Sequence, residues 1–217
     1  MLRQRLIQNT QTMIIKPASY SAVNQDGTHW QPSRMLLFSG HMIDAPGREI
    51  PRFPAENVAS AAERIFTTLD ELKAGPNDFA LTQGACGGDI LFAEACLKRG
   101  IKLQLLQPFA EAEFIQNSVT SVAGDWLQRY QAIRQQLAHP PLAAPSELGA
   151  LPADMNAYER CNIWLLASAM AYGPEKLVFI CLWDGGGGEG PGGTAHMVAE
   201  VKKQHGKVVW LDTRALL

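Results

Sequence analysis

Three short segments of the sequence combine glycine with a hydroxyl, imidazole or carboxyl side chain, and this combination suits the binding of an anion. They are SGH at 39–41, QGACGGD at 83–89 and DGGGGEGPGGT at 184–194. The last has glycine at seven of the nine positions from Gly185 to Gly193. Because glycine has no side chain, a phosphate can approach its backbone closely and accept hydrogen bonds from main-chain N–H groups. The three segments therefore predict a floor of backbone amides that holds a negatively charged group.

Individual side chains in and near these segments are candidates to complete such a site. Thr194 is expected to cap a helix or to bind phosphate. Asp89 is expected to cap a helix, to contact a ribose hydroxyl, or to repel phosphate and so set the orientation of the ligand. Arg160 either forms a surface ion pair or holds a phosphate through two hydrogen bonds. Arg48 and Arg52 are either solvated charges or lie near the arriving phosphate. The expected ligand-binding residues are Ser39, Gly40, His41, Gly84, Gly87, Gly88, Asp89, Arg160, Asp184, Gly192, Gly193 and Thr194.

The three segments follow strands in a regular alternation of strands and helices. Strands are predicted within 35–40, 78–89, 101–109, 177–185 and 207–213. Helices are predicted over 54–73, 90–100, 156–173 and 194–206. This order favours an α/β fold with a parallel sheet and right-handed crossovers. The carboxyl ends of parallel strands lie along one edge of the sheet, where such folds bind ligands, so the three segments are expected to meet there.

Two stretches interrupt this alternation. Residues 1–33 are polar and predict an N-terminal arm, with a short strand at Thr12–Ile15. Residues 110–155 predict an insertion that contains a helix and, over 139–154, a long loop with four prolines. No internal repeat is found, and one domain over 34–217 that carries this insertion is the simplest organisation.

Composition argues against several classes of protein. The 217 residues are 47% hydrophobic and 18% charged with a net charge of −2, which fits a globular chain and, without an excess of basic residues, does not favour nucleic acid as a partner. The four cysteines form no C-x-x-C pair and no histidine cluster accompanies them, so no metal site is predicted. No cofactor is predicted either. Neither a phosphate-binding G-x-x-x-x-G-K-[ST] motif nor a G-x-G-x-x-G motif is found. No apolar run approaches the roughly 20 residues of a membrane span, and no secretory signal is found, so a cytoplasmic protein without a membrane partner is expected.

Taken in chain order, these segments resemble the SLOG superfamily. That superfamily unites Rossmann-like proteins similar to DNA-processing protein A and to the Lonely Guy phosphoribohydrolases. QGACGGD is similar to its GGARGAD-type loop, and Arg160 and Asn162 stand where relatives carry an Arg-Asn pair. GPGGTAHMVAE is similar to the PGGxGTxxE element but places Met197 at the position of its glutamate, and Glu200 follows three residues later. The resemblance covers about residues 34–213.

The resemblance implies a three-layer Rossmann-like domain with a mostly parallel sheet of five or more strands. It also implies a nucleotide or nucleotide-derived ligand at the carboxyl edge, and it leaves three functions open. The first is a binding module that acts as a ligand sensor. The second is a hydrolase of the N-glycosidic bond to ribose, with Glu200 or Asp44 as the acid–base group and His41 as a ligand contact or proton carrier. The third is a non-catalytic protein that forms a homodimer.

Overall fold

The strands of the computed structural model form one sheet. The structure describes Ala18, residues 30–186 and residues 193–216. The strands are β1 (Met35–Gly40), β2 (Phe79–Thr82), β3 (Lys102–Gln107), β4 (Leu142–Ala143), β5 (Leu177–Trp183) and β6 (Lys207–Asp212). Their order across the sheet is β4–β3–β2–β1–β5–β6, and all five pairings between these strands are parallel. The predicted α/β fold with a parallel sheet of five or more strands is confirmed.

Helices cover both faces of this sheet and produce three layers. They are α1 (Val58–Glu71), α2 (Gly88–Lys98), α3 (Glu111–Phe114), α4 (Trp126–Gln136), α5 (Ala144–Leu148), α6 (Ala157–Met170) and α7 (Thr194–Lys203). One core cluster joins α1, α2 and α4 to one face of the sheet, and a second joins α6 and α7 to the other. Among the described residues, none of the helices combines the length and apolar character that crossing a membrane requires.

Strand β1 shows why the sheet is buried on both sides. Leu36 and Phe38 pack into the first core cluster, whereas Met35 and Leu37 pack into the second. Successive side chains of a strand point to opposite faces, so a continuous apolar run such as MLLF fills both cores at once. This arrangement fixes the end of β1, and with it Ser39 and Gly40, at the carboxyl edge.

Part of the stretch predicted as a loop over 139–154 is regular structure. Strand β4 extends the sheet by pairing Leu142 with Leu106, and α5 begins directly after it. Pro145 lies in the first turn of α5, where proline is tolerated because the N–H it lacks would have no partner within the helix. One of the four prolines that predicted a loop therefore belongs to the start of a helix. The arm predicted over 1–33 and its strand at Thr12–Ile15 lie almost wholly outside the described residues.

The strand order places a crevice at one point of the carboxyl edge. From β1 the chain adds β2, β3 and β4 on one side, and then crosses to the other side to add β5 and β6. Crossovers on either side of such a switch point leave the sheet in opposite directions, so the loops separate between β1 and β5. Open parallel sheets bind their ligands in that gap, which directs attention to the segments that end these two strands.

Candidate functional site

A cavity of about 330 Å³ opens at the carboxyl ends of the central strands. The end of β1 and the loop after it line it with Phe38, Ser39, Gly40, His41, Met42 and Arg52. The rest of its wall consists of Gln83, Ala85 and Asp89 around the end of β2, Tyr158 and Asn162 on α6, and Thr194 on α7. Five expected ligand-binding residues therefore line the same cavity, namely Ser39, Gly40, His41, Asp89 and Thr194.

The start of α7 presents hydroxyl groups and helix amides to this cavity. Thr194 is the first residue of α7 and only 5% exposed, and its Oγ1 lies 3.4 Å from Oγ of Ser39. The N-cap is Gly193 rather than Thr194, so no side chain at that position can accept a hydrogen bond from the first turn. The first N–H groups of a helix lack partners within it and carry the positive end of its dipole. Gly192, also expected at this site, lies outside the described residues.

The loop between β2 and α2 already holds an anion, the side chain of Asp89. Asp89 is the second residue of α2, and Gly87 takes the N-cap position expected for it. One carboxylate oxygen, Oδ2, accepts hydrogen bonds from the N–H groups of Gly84 at 3.2 Å and Ala85 at 3.3 Å. The sequence predicted these amides for a bound phosphate, whereas in the structure a side chain of the protein occupies them.

Asp89 is 6% exposed and forms part of the cavity wall. Burial raises the pKa of its carboxyl group to about 6. The backbone N–H groups of Ala85, Gly84 and Gly40 favour the ionised form and oppose this rise, and the nearby hydroxyl of Thr82 acts in the same direction. A carboxyl group with this pKa gains or loses its proton close to neutral pH.

The remaining glycines of the second segment allow two loops to pack closely. Gly87 has a φ of +98°, and a Cβ there would lie 2.8 Å from the backbone oxygen of His41 and 2.9 Å from the nitrogen of Ile43. The N–H of Gly88 donates to that same oxygen of His41, and the N–H of Cys86 donates to the oxygen of Ser118. These amides are therefore used within the protein, and the glycines serve the contact between the loops after β1 and β2.

His41 connects the end of β1 to the end of β5. It is 5% exposed, and its Nε2 lies 3.2 Å from both the backbone nitrogen and Oδ1 of Asp184. Burial raises the pKa of Asp184, but the N–H of Gly186, His41 and the charge of Arg52 outweigh it, and this pKa lies below its ordinary value. Asp184 itself is not among the described residues that line the cavity.

Arg160 is directed away from the cavity. Its Nη1 donates to the backbone oxygens of Gly149 and Ala150, each at 2.9 Å, and the residue is 2% exposed. Tyr158 and Asn162, two positions to either side, do line the cavity. Each residue of a helix is rotated by about 100° from the one before it, so a side chain two positions away lies on nearly the opposite side. The structure gives Arg160 the role of holding the segment after α5.

The two carboxylates expected to do acid–base chemistry lie outside the described cavity wall. Oδ2 of Asp44 accepts hydrogen bonds from the backbone N–H groups of Arg52 and Phe53, each at 2.8 Å. Asp44 thereby closes the loop that brings Arg52 to the cavity. Glu200 lies on α7 with its carboxylate 3.7 Å from Nζ of Lys203, in a pair whose lysine is exposed and whose glutamate is half-buried.

Several cavity residues were not among those expected from the sequence. Nε2 of Gln83 donates to Oδ1 of Asn162 at 2.7 Å, and the hydroxyl of Tyr158 lies 2.8 Å from Oγ of Ser118. Gln83 opens the QGACGGD segment, and Tyr158 and Asn162 are four residues apart on one face of α6. Their spacing of four residues could have predicted that they share a face of α6. The prediction chose Arg160 instead, which lies on a different side of that helix.

No protein-family model and no curated protein sequence matches this chain. Among solved structures, it is similar to the Moco carrier protein from Chlamydomonas reinhardtii, at 15% identity and a TM-score of 0.40, over 83% of this chain and 76% of that one. It is also similar to DNA processing protein A (DprA) from Streptococcus pneumoniae, at 12% identity and a TM-score of 0.38, over 85% of this chain and 60% of that one. Likenesses at this level assign no ligand or residue role to the present chain.

Proposed function

We propose that the protein binds a nucleotide or nucleotide-derived small molecule in this cavity, with the anionic group of the ligand at the start of α7. The observation that carries the proposal is the pair of hydroxyls, Ser39 and Thr194, beside a helix start whose N-cap is a glycine. Binding without a chemical step, as in a ligand sensor, is the primary form of the proposal.

A comparison of three helix starts favours α7 for the anion. Helices α2, α6 and α7 each contribute a residue of their first two turns to the cavity wall. The start of α2 has the carboxylate of Asp89, and on α6 the side chain of Asn156 accepts hydrogen bonds from the N–H groups of Tyr158 and Glu159. At α7 the capping residue, Gly193, has no side chain. A phosphate or carboxylate at α7 would gain the amides, the helix dipole and two hydroxyl donors together.

Other residues that line the cavity suit a heterocycle. Gln83 and Asn162 present amide groups, which pair with both donors and acceptors, and Phe38 and Met42 supply apolar contact. Ligand cavities range from about 300 to 1,000 Å³, and a volume of about 330 Å³ lies at the small end of that range. The site therefore fits a mononucleotide better than a dinucleotide.

The test is titration calorimetry with AMP, GMP, CMP and UMP on the wild type and on Thr194→Val. The substitution keeps the shape of the side chain and removes its hydroxyl, so we expect about a tenfold loss of affinity, the scale of one hydrogen bond to a charged group. Thr68→Val is the matched control, because Thr68 is a buried threonine on α1 that does not line the cavity. The proposal fails if no mononucleotide binds the wild type, or if both variants bind as tightly as it does.

A second candidate is hydrolysis of the N-glycosidic bond of the bound nucleotide, and the carboxyl group of Asp89 favours it. Asp89 lies in the cavity wall with a pKa of about 6, a value suited to proton transfer near neutral pH. Water would add at the ribose carbon, and the base would leave with a proton. We expect Asp89→Asn to abolish release of free base from AMP while AMP still binds. If no free base is found after prolonged incubation of the wild type with AMP, hydrolysis is rejected and binding without a chemical step is the remaining function.

A further inference from the structure

We propose that Asp89 determines which class of ligand the cavity binds. Its carboxylate occupies the backbone N–H groups of Gly84 and Ala85 between β2 and α2, a pair of donors called the amide cradle below, and so excludes a second phosphate group. This inference rests on the proposed function and narrows its ligand to molecules with one anionic group, such as nucleoside monophosphates. Di- and triphosphates would be discriminated against.

The position of the cradle and its converging N–H groups are those of a phosphate site, but a protein side chain occupies it. It lies between a parallel strand and an 11-residue helix, and the N–H groups of Gly84 and Ala85 converge on a single oxygen atom. Glycine-rich loops that bind phosphate use the same position, between the end of a strand and the start of a helix. Here the oxygen belongs to Asp89, five and four residues further along the chain.

The position of Asp89 makes its charge effective against a second anion. Asp89 is 6% exposed and lines the same cavity as Ser39 and Thr194, so a second phosphate group in that cavity would share a partly buried space with its carboxylate. Two like charges in a partly buried site disfavour each other more strongly than they would in water. Donors on the ligand, such as ribose hydroxyls, would be accepted beside the same carboxylate.

A carboxylate that only supports the loop would affect stability but not the choice of ligand. Two substitutions separate the two roles. Asp89→Asn keeps an oxygen that can accept from Gly84 and Ala85 and removes the charge, whereas Asp89→Ala removes the charge and also opens the cradle. If Asp89 sets selectivity, both variants should shift preference toward a second phosphate, and Asp89→Ala should shift it further.

The experiment measures the ratio of ADP to AMP affinity by calorimetry at about pH 8, where the carboxyl group of Asp89 is ionised. We expect the wild type to bind AMP at least about tenfold more tightly than ADP. Asp89→Ala should shift that ratio toward ADP by at least about tenfold, and Asp89→Asn by a few-fold. Asp212→Ala is the control, because Asp212 also accepts a backbone hydrogen bond, from Arg214, at the end of a parallel strand. This control removes one negative charge from the same edge of the sheet without touching the cradle, and its ratio should equal that of the wild type.

The outcomes distinguish failure of this inference from failure of the proposed function. An unchanged ratio in Asp89→Asn and in any folded Asp89→Ala overturns the inference, while AMP binding by the wild type keeps the proposed function. If the wild type binds neither nucleotide but Asp89→Ala binds ADP, the proposed function is rejected. The inference that the carboxylate of Asp89 keeps phosphate out of the cradle is then retained. If none of the proteins binds AMP or ADP, both are rejected.

Discussion

At the scale of single residues, the cavity contains a carboxyl group whose burial makes its ionised form energetically unfavourable. Burial opposes ionisation of Asp89 strongly enough that two backbone amides and further donors do not restore an ordinary pKa. Natural proteins tolerate such unfavourable groups mainly at functional sites. The cost of ionising Asp89 can therefore be tested without a ligand, by measuring how the free energy of unfolding depends on pH.

We expect Asp89→Asn to stabilise the protein at neutral pH and to have little effect at low pH. The folded carboxyl group, with a pKa of about 6, keeps its proton between about pH 4 and pH 6, where the unfolded chain has lost it. Its contribution to the free energy of unfolding is therefore present below about pH 4 and lost as the pH rises through about 6. Two pKa units correspond to about 3 kcal/mol in favour of the variant at pH 7. Urea denaturation at a series of pH values checks this, and a difference that does not vary with pH would contradict it.

Arg160 gives a second prediction at this scale. Arg160→Met keeps most of the buried volume and removes both hydrogen bonds to Gly149 and Ala150. We expect a loss of about 2 kcal/mol or more in the free energy of unfolding and faster amide exchange in the segment after α5. The affinity for AMP should stay within about two-fold of the wild type. A large loss of AMP affinity with unchanged exchange would instead return Arg160 to the binding site.

At the scale of elements, close packing of the loops after β1 and β2 shapes the cavity floor. The backbone of Met42 forms an isolated bridge with Gly87, and the Cα atoms of Gly40 and Gly88 leave no room for side chains between them. These contacts require glycine for two reasons, a positive φ at Gly87 and crowding at all three glycines.

Alanine at two glycines of positive φ compares an open position with a crowded one, at which the ψ of −129° at Gly87 also lies outside the left-handed region. Gly47 has a φ of +79° and open space around it, whereas a Cβ on Gly87 would meet backbone atoms of the neighbouring loop. Gly47→Ala should cost about 1–2 kcal/mol in the free energy of unfolding, the left-handed strain alone. Gly87→Ala should cost distinctly more and weaken AMP binding, because the backbone of His41 must move. Chemical denaturation measures the loss in the free energy of unfolding for each variant. Equal losses would contradict the claim that contact between the two loops requires glycine at position 87.

The sequence predicts elements well where their own pattern specifies them. In α1, apolar residues at helical spacing predict the helix; of these, Ile65 and Leu69 are buried, whereas Phe66 is 43% exposed. Strand β4 has no such pattern, because two residues become a strand only by pairing with β3. The contact of Asp89 with Gly84 and Ala85 is local in sequence and could have been predicted as an alternative to a bound phosphate. The direction of Arg160 depends on how α6 is rotated against the sheet, which adjacent residue types do not reveal.

At the scale of the whole molecule, the strand order brings together segments about 140 residues apart in the chain. Ser39 lies at the end of β1 and His41 directly after it, and Asp184 and Thr194 follow β5, yet these residues are joined by contacts of 3.2 to 3.4 Å. That these segments share an edge follows from a parallel sheet, but the adjacency of β1 and β5 emerges only from the strand order. The predicted homodimer stays a prediction.

The most direct test of the central claim is a crystal structure of the protein with AMP, grown at about pH 8, where the carboxyl group of Asp89 is ionised. We predict that the phosphate lies within hydrogen-bond distance of Oγ1 of Thr194 and the first N–H groups of α7, with the carboxylate of Asp89 still bonded to Gly84 and Ala85. A phosphate held by Gly84 and Ala85 with Asp89 displaced, or a cavity that stays empty at saturating AMP, would contradict the account.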